Sequence, residues 1–188
     1  MSSADEFSRE DIENLLASLG ARLRARGVAA TVYVVGGAAI ALRGLSSDRR
    51  TADIDALMLP EEQVLEAARE VAVERGVRAS WLSSAVRPYV PPLPEALQPP
   101  DSPGLEVRTA PVEHLLAMKI VAARGRRDMR DVVALARRLG VSAATDLVKL
   151  VVSVYGEDTI EHVHGGHADL ALHCAAVEQA LRGEDGLS

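Results

Sequence analysis

The sequence predicts an α+β chain, with a mixed β-sheet lobe flanked by helices over residues 1–110 and a helical lobe over residues 111–188. Three observations carry this. Short apolar or β-branched runs, TVYVV at 31–35, DIDALML at 53–59 and LEVRT at 105–109, are confined to the first part and alternate there with helical periodicity. From Pro111 onward the apolar spacing is almost entirely helical. No internal repeat crosses the change of pattern, which places a boundary near residue 110.

Each element follows from local chemistry. Ser8, with Glu10 and Asp11 behind it, opens a helix whose apolar positions Ile12, Leu15, Leu16, Leu19 and Leu23 keep the helical period; Gly27 ends it. TVYVV is a buried strand by its β-branched and aromatic content. Gly36-Gly37 then turns into a short Ala-rich helix reaching about Arg43. Residues 44–50 form a loop, 52–59 a strand closed by Pro60, 61–75 a helix, and VRAS at 77–80 a candidate strand. The segment RPYVPPLPEALQPPDSPG, 87–104, is too proline-rich for regular structure and reads as an interlobe linker or a loop over a site. One more strand at 105–109 precedes helices at 111–124, 127–139, about 143–154, and 168–182.

Composition sets the class. A chain of 188 residues that is 48% hydrophobic can bury a core, and with only 3% aromatics that core must be aliphatic. The net charge of −6 argues against bulk nucleic-acid binding while allowing local basic patches. One cysteine, Cys174, excludes an internal disulfide framework and fits a reducing compartment. The acidic N-terminus lacks the apolar stretch of a signal peptide, and no run of 18 apolar residues occurs. The expectation is a soluble cytoplasmic protein with no membrane partner. Of 21 basic residues only Lys119 and Lys149 are lysines, so a lysine here stands where arginine would be the ordinary choice.

Against that background, two carboxylates one residue apart in an apolar run stand out. In a strand, Asp53 and Asp55 project to the same face, and such a pair repels unless a cation sits between them; Mg²⁺ takes such oxygen ligands. The plain alternative is a solvated edge strand. Gly36-Gly37, at a strand-to-helix junction, lets backbone N–H groups approach a phosphate, though it is also a serviceable tight turn. Together the two features supply what a nucleoside triphosphate and its metals require. Farther along, Val112, Leu116, Lys119 and Ala123 share one helical stripe, so Lys119 sits on a face that should bury. It either snorkels to the edge or meets an anion. In the next helix Asp128 begins the stripe of Val132, Leu135 and Leu139, with Asp131 one turn on. Both acids also suit a helix start, Asp128 as its cap. Arg124, Arg126, Arg127 and Arg130 surround that turn and would pair with the acids or offer a patch to RNA.

The block GGAAIALRG…RRTADID resembles the signature of the polymerase-β-like nucleotidyltransferase superfamily, and EHLLAMKIVAARGRRDMRDVVAL resembles the second block of its AbiEii/MenT-type toxin branch. The two span roughly 34–139. The resemblance implies a nucleotidyltransferase-type first lobe and a helical second lobe that completes the active site. It implies Mg²⁺ (or Mn²⁺) on Asp53 and Asp55, with Lys119 on the nucleotide and an acid of the second block, Asp128 or Asp131, needed for activity. Glu106 is the candidate for a third metal-binding carboxylate, and Arg49 for charge on the phosphates of the NTP. Thr51, two residues before Asp53, stands where related toxins can be phosphorylated by a cognate antitoxin. The implied reaction moves NMP from an NTP to an acceptor, most readily the 3′ end of tRNA, and blocks translation. A small molecule or a protein hydroxyl is the alternative acceptor. A non-catalytic nucleotide-binding partner module is the rival from another class, opposed by the retention of Asp53, Asp55 and Lys119.

Other features carry less. His162, His164, His167 and His173 lie close in sequence, but their spacing fits no zinc pattern. Trp81 and Tyr89 flank the proline-rich segment and are expected to pack beneath it rather than stack a base. Cys174 reads as a core residue.

Overall fold

The computed structural model describes residues 6–46, 49–93, 95–122, 126–163 and 166–185. It divides into two compact units, Met1–Ala110 and Pro111–Ser188. Its architecture is α+β, with eight α-helices and one four-stranded mixed sheet among the described residues.

The first unit begins with α1, Arg9–Ala25, closed by the reciprocal cap that the sequence announces. Ser8 Oγ accepts from Asp11 N–H, and the Asp11 carboxylate accepts from Ser8 N–H. Strands β1 (Ala29–Val34), β2 (Ile54–Leu59), β3 (Leu82–Ser83) and β4 (Gly104–Thr109) stand in the order β3-β2-β1-β4. β1 runs antiparallel to β2 and parallel to β4, while β2 runs parallel to β3. Helix α2 (Gly36–Leu42) joins β1 to the loop before β2, and α3 (Glu61–Arg75) follows β2. Gly20 lets α1 close on β4, since a Cβ there would lie 3.3 Å from Leu105 Cβ. The core is aliphatic as composition requires, with Leu19, Leu23, Val32, Ile54 and Val64 fully buried.

Two expectations are corrected in this unit, and one open alternative is decided. The strand does not start at 52 but at Ile54, so Asp53 precedes it in a bend. The cause is local: Thr51 Oγ1 donates to the Asp53 carbonyl (3.1 Å), a side-chain bond that competes with strand pairing. VRAS is not a strand. Gly76 ends α3 in the left-handed region (φ +65°), and the chain turns until Trp81 is buried, so pairing starts only at Leu82, opposite Ile54. The segment 87–104 belongs to the first unit and holds a short 3₁₀ turn, Arg87–Tyr89. Its Gln98 carbonyl accepts from Thr31 Oγ1 (2.7 Å) on β1, so it is a loop lying on the sheet rather than a linker between units.

Trp81 is packing, as expected: it is fully buried and its indole N–H donates to the Ala68 carbonyl of α3 (2.9 Å). Tyr89, by contrast, is exposed. Trp81→Phe is expected to lower stability by roughly 1–2 kcal/mol, read from the urea midpoint, through the lost hydrogen bond and the small void.

The second unit is helical: α4 (Val112–Ala122), α5 (Arg126–Leu139), α6 (Ala144–Tyr155), α7 (Glu157–Val163) and α8 (Gly166–Asp185). Helix α7 was not expected, because the Gly165-Gly166 pair reads as an open turn, and α8 is longer than its periodicity suggests. Cys174 is buried in α8, and burial pushes its thiol up to about 11, which leaves it inert at neutral pH.

Candidate active site

The first unit brings four of the expected groups together at the β1–α2 turn. Val35 N–H donates to the Asp55 carbonyl (2.9 Å), which fixes the start of β2 beside that turn. Gly36 takes φ +62°, a conformation that a side chain rarely tolerates, and a Cβ there would lie 3.7 Å from Asp55 Oδ2. The next position is tighter still. A Cβ on Gly37 would lie 2.7 Å from Arg49 Nη2 and 2.9 Å from Thr51 Oγ1. The glycine pair is therefore required by close approach, with the Arg49 guanidinium, the Thr51 hydroxyl and the Asp55 carboxylate converging on it. No side chain caps α2, and among the described residues nothing accepts from the N–H of Gly37 or Ala38. Those donors suit phosphate oxygens.

The bend that carries Asp53 is held carbonyl by carbonyl. Arg49 Nη1 donates to the Arg50 carbonyl (2.7 Å), and Phe7 N–H donates to the Thr51 carbonyl (2.6 Å) in an antiparallel bridge. Arg78 donates to the Ala52 carbonyl, and Thr51 to that of Asp53. Arg50 in turn reaches the Glu6 carbonyl (2.6 Å) and lies 3.8 Å from the Asp11 carboxylate. Asp53 thus lies outside the strand yet on a tethered backbone. Phe7, Arg50 and Arg78 are the supporting residues that sequence reasoning missed, because nothing in spacing links residues so far apart along the chain. The one available signal was Phe7, the sole phenylalanine, isolated before the first helix.

Glu106 is not brought to the pair. It stands opposite Thr31 on β1, whereas Asp55 bonds across to Val35. Four strand residues separate the two levels, roughly 13 Å at the usual rise. Glu106 instead accepts from Arg108 Nε (2.8 Å), and the β4 neighbour at the Asp55 level is Ala110. Glu106 is therefore not placed beside Asp55, which leaves Asp53 and Asp55 as the candidate metal-binding carboxylates of this unit. Two half-buried carboxylates fit a hard divalent cation whose remaining ligands come from water and phosphate. Among the described residues no group of three or more His, Cys, Asp or Glu side chains could hold a metal ion.

In the second unit, Lys119 on α4 meets both acids of α5. Its Nζ lies 2.6 Å from Asp128 Oδ1 and 3.0 Å from Asp131 Oδ2. Of the two fates open to a lysine on a buried face, it meets anions, and they are protein carboxylates. Asp131 is buried and Lys119 and Asp128 are half-buried, with side-chain exposures of 7%, 12% and 30%. The Asp131 contact is an ion pair rather than an aligned hydrogen bond. Because α5 starts at Arg126, Asp128 lies within the first turn and is not its cap.

Arg130 is exposed on α5; Arg124 and the side chains of Arg126 and Arg127 lie outside the described residues. His167 Nε2 pairs with Glu157 Oε2 (2.6 Å) and approaches Glu161 Oε1 (3.6 Å). His173 is exposed, and His164 and the side chain of His162 lie outside the described residues.

The Gly37 geometry makes a direct prediction. Gly37→Ala is expected to lower stability, since the Arg49 guanidinium can swing aside but the buried Thr51 hydroxyl, 2.9 Å from the added Cβ and bonded to the Asp53 carbonyl, must shift. The substitution should also raise the NTP concentration needed for half-maximal rate about tenfold or more by displacing Arg49 and Thr51 from the cradle. Initial rates against NTP concentration check this.

Among family models, that of the nucleotidyl transferase AbiEii toxin, type IV TA system, matches residues 65–183. The match covers more than half of the chain and contains Lys119, Asp128 and Asp131; the glycine pair and Asp53/Asp55 lie before it. No curated protein and no solved structure matches the chain.

Proposed function

The chain belongs to the nucleotidyl transferase AbiEii toxin family of type IV toxin–antitoxin systems, and from that premise we propose that it is a Mg²⁺-dependent enzyme that moves NMP from an NTP to the 3′ end of tRNA. Membership makes it a nucleotidyltransferase toxin with a cognate antitoxin and an NTP substrate. The observation that carries the finer reading is the convergence of Arg49, Thr51 and Asp55 on Gly36-Gly37. An NTP laid there would place phosphate oxygens on the uncapped N–H groups of Gly37 and Ala38, with the guanidinium of Arg49 beside them. Asp53 and Asp55 would hold the divalent cation. That cation, when bound, supplies neutralisation of the triphosphate charge and acidification of the attacking hydroxyl.

The chain's own contribution is positional. The tethered 49–55 segment fixes both carboxylates, and Arg49 offsets charge that builds on the phosphates. The acceptor hydroxyl oxygen forms a bond to the α-phosphorus as the bond to the bridging α–β oxygen breaks. The hydroxyl proton passes to water and pyrophosphate leaves. Lys119, poised between Asp128 and Asp131, is the second group that the reading requires. An RNA acceptor is supported by the exposed Arg130 in its arginine-rich turn.

Thr51 is the proposed regulatory position. Its hydroxyl lies 2.9 Å from the place of a Gly37 Cβ, so a phosphoryl group there would fill the cradle and repel the triphosphate. The hydroxyl is buried and bonded to Asp53, so modification requires the Phe7–Thr51 bridge to open. Absence of phosphate on Thr51 after co-expression with the neighbouring gene product, read by mass spectrometry, would rule this out.

The deciding experiment incubates the protein with each labelled NTP, Mg²⁺ and total tRNA, beside Asp53→Ala and Lys119→Ala. Label on RNA with wild type alone is the expected result. Label on protein, or none on RNA with any NTP, would overturn the tRNA acceptor.

A further inference from the structure

Strand β4 is an edge of the sheet, and its hydrogen-bonding groups alternate in direction. Gly104 N–H donates to the Val28 carbonyl and Ala110 N–H to the Val34 carbonyl, both at 2.9 Å, so the even-numbered residues face β1. Leu105, Val107 and Thr109 therefore turn their N–H and C=O groups outward. Among the described residues only Arg43 reaches one of these groups, with Nη2 3.1 Å from the Thr109 carbonyl. The strand carries no proline or lysine, the usual guards of an exposed edge.

Side chains alternate as well. The approach of Gly20 to Leu105 puts the odd-numbered residues on the α1 side and Glu106 with Arg108 on the other. Along the α1 side runs a groove of about 510 Å³ between α1 and β4, and on it Val107 is 41% exposed.

We propose that this edge joins a second copy of the chain, the two β4 strands pairing antiparallel across a two-fold axis at Val107 and continuing the four-stranded sheet from one copy into the next. The register satisfies every constraint of the strand at once. Val107 stands opposite itself and Leu105 opposite Thr109, so the residues with outward N–H and C=O groups form the hydrogen-bonded pairs. Glu106 then stands opposite Arg108 of the second copy, twice. A parallel, in-register pairing would set Glu106 against Glu106 and Arg108 against Arg108, which is unfavourable.

The same axis runs α1 antiparallel to its copy, and the flank of α1 on the groove is self-complementary in the same sense. It begins with Glu13, which pairs with Arg9 on the same helix, passes through Leu16 and the small residues Ala17, Gly20 and Ala21, and ends with Arg24. Reversal sets Glu13 opposite Arg24 of the second copy, with small residues between to allow close approach. A strand and a helix on one groove, each charge-complementary only to its own reverse, point to a copy of this chain as the occupant.

Light scattering coupled to gel filtration tests this on the full chain. The expected mass is twice 20.0 kDa at micromolar protein. Val107→Pro removes an outward N–H and no ladder bond within the chain, so it should give a folded monomer. Glu106→Arg should weaken dimerisation about tenfold or more, and Glu106→Arg/Arg108→Glu should restore it to within about threefold. If Val107→Pro fails to fold, the charge series decides alone. A 20.0 kDa species at every concentration overturns the proposal, as does a dimer whose dissociation constant is unmoved by Glu106→Arg.

Discussion

Asp55→Asn is expected to lower nucleotide transfer by about 10³-fold or more, the equivalent of roughly 4 kcal/mol of transition-state stabilisation, while leaving the chain folded. The substitution keeps the shape of the side chain. Its backbone carbonyl still accepts from Val35 N–H, and the β1–β2 ladder from Thr31↔Leu59 to Val34↔Ala56 is untouched. What is lost is one negative charge beside the glycine turn, where the carboxylate Oδ2 stands 3.7 Å from the place of a Gly36 Cβ. Asparagine still offers an oxygen, but a neutral one, and a divalent cation facing a triphosphate needs the charge. Asp53→Asn is expected to behave alike. Transfer of labelled NMP, with circular dichroism and a urea midpoint alongside, checks both. Transfer within a few-fold of wild type would remove the carboxylate pair from the mechanism.

Lys119→Met is expected to destabilise the second unit by about 1–3 kcal/mol, because it removes the cation shared by the buried Asp131 and the half-buried Asp128. Methionine keeps the length and apolar stem of the lysine, so the loss is mainly electrostatic. The double variant Lys119→Met/Asp131→Leu should recover most of that stability, since a buried ion pair replaced by apolar groups of similar size is often neutral. It should not recover transfer if Lys119 serves the nucleotide. Stability and activity therefore part company in the double variant. Urea unfolding of the single and double variants, with label transfer at a temperature where both are folded, measures the separation. Recovery of transfer together with stability would assign Lys119 a structural role alone.

Much of this site is legible in one dimension because the signals are local. Gly36-Gly37 between a β-branched run and an alanine-rich run marks a turn that cannot carry side chains, and the structure shows what fills the space. Lys119 on an apolar stripe, in a chain that otherwise prefers arginine, marks a charge needing a buried partner. Its partners, Asp128 and Asp131, could be named because they begin the next apolar stripe, but that they bind the lysine itself was not readable. Glu106 shows the limit. Its place in LEVRT gives a face but not a level, and the parallel register of β4 on β1 sets it four residues from the Asp55 end.

Sequence alone determined the α+β class and the order of the main elements, since periodicity, capping and glycine or proline stops act within a few residues of themselves. It also determined the chemical types at the site. Only the tertiary structure decided that Asp53 lies in a bend rather than a strand, held by Phe7, Thr51 and Arg78, and that the proline-rich segment lies on the sheet through Gln98 and Thr31. Those facts depend on hydrogen bonds between residues up to 67 positions apart. Strand register and side-chain reach, not local propensity, choose such partners.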